Sequence, residues 1–111
     1  MSRHCSKFIT ARLKLFSADQ GGKSHPIKSG YRPNHVFEYV DGQALSFYIG
    51  EINTQGDEWI SPGEEKIVEV QFLFVPQIEK YLVVGNKWWI HEASKLVGEA
   101  EIISLNSKVA E

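Results

Sequence analysis

The side chains able to do chemistry are few, and they lie far apart. Histidines stand at His4, His25, His35 and His91, and the single cysteine is Cys5. No two histidines hold the i, i+4 spacing of a helical metal-binding pair. A metal site, or a Cys5–histidine nucleophile pair, would therefore need distant residues to converge. Glu64 with Glu65, or Glu99 with Glu101, could pair as general acid and base. Their settings, a turn and an alternating strand, place them on solvated surface instead. The chain has no glycine-rich phosphate loop and no Gly-x-Ser-x-Gly elbow. Asn86-Lys87 lacks any nucleotide-binding context. The expectation is a protein that is not an enzyme, with no cofactor, no metal and no nucleotide.

Binding chemistry is better represented. Twelve Lys and Arg stand against fourteen Asp and Glu, for a net charge of −2. That balance hides an asymmetry. Residues 1–33 carry seven bases and one acid, and residues 34–111 five bases and thirteen acids. A basic first third could meet a phosphate backbone or an acidic protein. It could equally be neutralised by the acidic remainder of its own fold. Tyr31, Tyr39, Tyr48, Trp59, Trp88 and Trp89 could stack on bases or pack a core and its rim. The aromatic motif of RNA-recognition sheets is missing, and an acidic total disfavours tight phosphate binding.

The elements that would position these groups are short strands. In residues 8–16, Ile9, Ala11, Leu13 and Leu15 alternate with Thr10, Arg12 and Lys14, the period of a half-buried strand. Residues 17–33 hold three glycines and two prolines and form a structured loop. Residues 36–40 are a β-branched and aromatic run, ended by a turn at Asp41-Gly42. Leu45, Phe47 and Ile49 alternate with Ser46, Tyr48 and Gly50 in another strand. A polar loop over 53–58, Trp59-Ile60 and a turn over 61–64 follow. Val68, Val70, Phe72 and Phe74 form one face of a strand over 67–75. Residues 81–84 and 88–91 flank Gly85-Asn86-Lys87 as a tight hairpin. A last strand runs over 96–105.

No long window keeps a helical period, so the fold class is all-β, a barrel or sandwich of short strands. One cysteine excludes an intramolecular disulfide. No secretory signal opens the chain, and no apolar run approaches the roughly 20 residues of a membrane span. A cytoplasmic protein with no membrane partner is expected. Residues 1–6 and 106–111 are expected to be flexible ends around one domain over 7–105.

One stretch is more specific. Ser17, Gly21, Gly22, Lys23, Pro26, Gly30, Tyr31, Arg32, Pro33 and Phe37 stand in one ungapped run. Their order and spacing resemble the opening of the third, C-terminal β-barrel domain of elongation factor Tu. Pro62-Gly63-Glu64 resembles the family's Pro-Gly-Asp turn. Phe74-Val75-Pro76 resembles its His-Pro step, with Val75 in the histidine's place. Residues 89–98 resemble its closing Arg-Glu-Gly-Gly-Arg-x-Val-Gly hairpin. The resemblance spans about residues 7–105 and is weakest over 38–60.

The resemblance implies a single closed antiparallel barrel of about six strands that does no chemistry. The family's GTPase domain has no counterpart in this chain. In the family this barrel packs on that domain, helps hold the T-stem of aminoacyl-tRNA and meets the exchange factor. Its tRNA-facing and interdomain positions fall on Lys23, Ser24, Asn34, Glu92 and Ala93. Lys23 keeps the charge of the usual arginine without its fork, and Asn34 is one methylene shorter than the usual glutamine. His91 stands for an arginine, and Ala93-Ser94 for two glycines. Trp88-Trp89 is bulkier than usual and would expose an apolar anchor. The implied function is a stand-alone, non-catalytic protein-interaction module linked to translation. The alternative is an RNA-binding accessory that contacts tRNA backbone through Lys23, Lys28 and Arg32. The candidate binding face is Lys23, Ser24, Tyr31, Arg32, Asn34, Trp88, Trp89, His91 and Glu92.

Overall fold

The structure, a computed structural model, describes residues 6–106 apart from 55 and 57. His4, Cys5 and the expected flexible ends at 1–5 and 107–111 lie outside the described residues. Among the described residues ten strands run in chain order: β1 Ser6–Leu15, β2 Ile27–Lys28, β3 Asn34–Val36, β4 Tyr39–Val40, β5 Gln43–Ala44, β6 Tyr48–Asn53, β7 Trp59–Ile60, β8 Glu65–Leu73, β9 Lys87–Glu92 and β10 Lys95–Asn106. Six of them close an antiparallel barrel in the order β1-β10-β9-β3-β6-β8, with β8 returning to β1. The all-β, six-strand closed barrel is therefore the observed fold. Two small ribbons, β2-β7 and β4-β5, lie outside it. The barrel strands reach one residue past the expected ends, to Ser6 and Asn106. Asn106 Nδ2 donates to Thr10 Oγ1 at 3.1 Å.

Alternation explains the long strands. Ile9, Ala11, Leu13 and Leu15 of β1, and Val68, Val70 and Phe72 of β8, are buried. Polar neighbours such as Arg12 and Glu69 face outward. Arg12 reaches Glu65 at 3.5 Å and Glu101 at 3.4 Å. β10 carries an irregularity between Leu96 and Gly98 in its pairing with β9. A Cβ on Gly98 would lie 2.7 Å from the Lys14 carbonyl oxygen, so only glycine admits that close approach.

β6 has its inner face on the less apolar set. Tyr48, Gly50 and Ile52 point into the barrel, while Leu45, Phe47 and Ile49 are exposed. The aromatic core sets that phase. A Cβ on Gly50 would lie 2.8 Å from His35 Nε2 and 2.9 Å from the Phe72 ring, so the glycine makes room for both. Tyr48 meets Phe37 edge to face at 5.8 Å. A shift of one residue would exchange the two faces.

The expected hairpin joining 81–84 to 88–91 does not form. Pro76–Tyr81 is a 3₁₀ helix, with Pro76 in its first turn where a missing N–H costs nothing. Val83 and Val84 are exposed in a loop closed by Asn86 N–H on the Val83 carbonyl. Gly85 N–H and the Asn86 carbonyl bond instead to Ile102 of β10. β9 then pairs with β10 on one side and β3 on the other. The Asp41-Gly42 turn does form. Both residues have positive φ, 53° and 78°, as a two-residue hairpin turn requires.

Candidate functional site

Lys23, Tyr31 and Glu92 are brought together from three separate segments. The loop that carries Lys23 is built by its two glycines in different ways. Gly21 has φ 83° and ends the short 3₁₀ turn Ala18–Gln20. At Gly22 a Cβ would lie 2.2 Å from the Phe16 carbonyl oxygen, so no side chain fits there. The chain then aims Lys23 Nζ at Glu92 Oε2, 2.6 Å away. Tyr31 O–H donates to the same oxygen at 2.5 Å. The ammonium also lies 5.6 Å from the centre of the Tyr31 ring.

Electrostatics follow the geometry. Burial pushes the Tyr31 phenol well above its ordinary range, and its bond to anionic Glu92 adds to this. Burial acts to raise the Glu92 carboxyl, but hydrogen bonds from Lys23 and Tyr31 outweigh it and hold the group below its usual range. Arg32 Nε contacts Glu51 Oε2 at 3.0 Å, and with Asn53 it holds that carboxyl low. Part of the basic first third is thus met by the acidic remainder. Lys23, Arg32 and Arg12 each hold a carboxylate. Ser24 is exposed in the loop after Lys23. Asn34 sits beside His91 across the β3-β9 pair.

Trp88 is not a surface anchor. It is fully buried, and its Nε1–H donates to His35 Nδ1 at 2.9 Å. The inward phase of β9 puts Trp88 and Ile90 in the core and leaves Trp89 half-buried on the outer face. His91 shares that outer face but is buried too. Tyr39, from the β4-β5 ribbon, hydrogen-bonds His91 Nε2, and its ring lies 5.4 Å from Trp89. Phe47 approaches His91 at 6.1 Å. His91 Nδ1–H donates to the Ser94 carbonyl at 3.2 Å. The segment where the resemblance is weakest thus covers two of the residues expected to face a partner.

The β9-β10 turn closes on Ala93 and Ser94, with Ala93 at φ 53°. An alanine in the left-handed region is strained where glycine is not. Ala93→Gly should raise stability by about 0.5–1 kcal/mol, because that relief exceeds the added chain entropy. Urea denaturation checks it through a higher midpoint.

Sequence reasoning named His35 and Tyr39 without giving them these contacts, and it missed the pairing of Lys23 with Glu92. It also passed over a groove of about 370 Å³ lined by Lys23, Lys28, Tyr31 and Trp59. Lys28 Nζ lies 5.6 Å from the exposed Trp59 ring. Among the described residues no group of three His, Cys, Asp or Glu could hold a metal ion, and no helix is long and apolar enough to cross a membrane. The fold and face define a closed antiparallel barrel with a salt-bridged loop and an apolar outer side. No protein-family model matches the chain.

Proposed function

We propose that the chain is a non-catalytic protein-interaction module, a barrel like the one that closes elongation factor Tu, linked to translation. The observation that carries this reading is the apolar surface at the start of β6, where Ile49 is 63% exposed and Phe47, just before the strand, 53%. Large apolar side chains clustered on a barrel's outer surface favour a protein contact. The salt bridges point the same way. Of the three cations suited to phosphate, Lys23 and Arg32 already hold carboxylates.

The test is affinity capture of the tagged chain from its own cell lysate, with and without RNase, read by mass spectrometry. A partner should survive RNase and be lost with Ile49→Glu. Loss of protein partners and tRNA together on RNase treatment would overturn the reading. The second reading, contact with RNA backbone, is favoured by the groove of Lys28, Trp59 and Tyr31. It requires binding that weakens steeply with salt. Binding that is equal at low and moderate salt would exclude it.

A further inference from the structure

The apolar side of β6 continues onto β8. Gly50 pairs with Phe72, so Ile49 and Leu73 stand one step along, on the opposite face. Both are exposed, and both line one shallow depression of about 170 Å³ with Arg32, Glu51, Gln71 and Ser6. Phe47, also exposed, precedes β6 and lies outside this depression, near His91 of β9. An apolar centre is therefore bordered by one cation and one anion, side by side.

That border decides what fits. Arg32 contacts Glu51 through Nε, and its side chain is 73% exposed. A guanidinium carries further N–H donors on its two terminal nitrogens, and these have room for a second carboxylate. A strongly acidic or strongly basic partner would meet no net charge here. A twofold rotation about the apolar centre, however, brings Arg32 of one copy to Glu51 of the other. Such a surface is complementary to itself. The chain's net charge of −2 sets up little repulsion between copies.

We propose that this face is a twofold interface between two copies of the chain. Ile49 and Leu73 form its centre, and Arg32 and Glu51 pair reciprocally across it. The inference rests on the reading of the chain as an interaction module and names a second copy as the occupant.

Sedimentation velocity on the full chain, from about 1 µM to about 1 mM, tests it over the range in which a small interface dissociates. The mass should pass from one copy to two. Ile49→Glu should weaken association by about 100-fold, as expected for a charge at an apolar centre, with an unchanged circular dichroism spectrum. Arg32→Glu and Glu51→Arg should each weaken it by about tenfold, and the double variant should restore it, because the pair is then reversed intact. A wild-type chain that stays monomeric overturns the proposal. So does a dimer that Ile49→Glu leaves intact, or a double swap that restores nothing. A monomeric wild type whose Ile49→Glu variant loses an RNase-resistant partner overturns the second copy alone and leaves the interaction-module reading standing. A dimer broken by Ile49→Glu with no other RNase-resistant partner supports the second copy and removes the link to translation.

Discussion

Trp88→Ala should cost the barrel about 4–5 kcal/mol, close to the whole stability of many domains of this size. Trp88 is fully buried. Its ring stacks on Phe37 at 5.3 Å and meets Phe72 edge-on at 5.7 Å. Deleting it opens a cavity bordered by strands that hold one another in register, so little collapse can follow. Deletion also strands His35 Nδ1, which accepts the indole N–H. A buried acceptor left without its donor costs about 1–3 kcal/mol in its own right. The two losses share one site and do not simply add. Trp89→Ala should cost only about 1 kcal/mol, because that ring is half-buried against Tyr39. Urea denaturation of both variants separates them. Equal midpoints for the two would place Trp88 outside the core.

The two adjacent tryptophans also show where reading a sequence runs out. Their alternation was legible, but both Trp88 and Trp89 are apolar, so composition cannot say which faces inward. The same ambiguity holds over 45–50. There the more apolar set, Leu45, Phe47 and Ile49, is the outer one. Gly50 carries the missing signal, because the space it leaves is filled by His35 and Phe72. In β1 and β8 alternation placed Ile9, Ala11, Leu13, Leu15, Val68, Val70 and Phe72 inside, but Ile67 and Leu73 are apolar and exposed on the outer face of β8, and Phe74 lies beyond its end. The hairpin expected over 81–91 failed for another reason. Two apolar runs around a glycine turn resemble a hairpin, but Pro76 and the bonds to Ile102 commit the chain elsewhere. In the candidate site, Lys23 and Glu92 lie 69 residues apart. The resemblance put both on one face. Their contact depends on the register of β9 against β3 and on the loop at Gly22, and neither is a local property of the sequence.

Stability should fall by about 3 kcal/mol as pH drops from 6.5 to 4, because the folded barrel resists protonation of His35 over a range in which the unfolded chain accepts the proton. An indole N–H only donates, so His35 Nδ1 receives the Trp88 bond with its lone pair. The proton of the neutral ring is then on Nε2, which donates to the Gly50 carbonyl at 3.0 Å. Burial pushes the ring down to about 4 from its ordinary 6.5, against a smaller opposing effect of the Gly50 bond. The folded pKa lies below the unfolded one, so the unfolded chain takes up the proton first. The contribution is complete above pH 6.5, is lost as pH falls towards 4, and changes no further below that. Glu51 and Glu92 have lowered carboxyls, so their contributions are lost below about pH 4.5, in a separate window. Trp88→Phe keeps an aromatic ring in place but removes the N–H aimed at Nδ1. Its His35 should titrate nearer 6.5, and the slope of stability against pH between 4.5 and 6.5 should shrink. Urea midpoints at intervals of one pH unit measure both slopes. A flat wild-type profile across that window would mean that His35 is solvated, and the Trp88–His35–Gly50 chain would then not be the centre of this core.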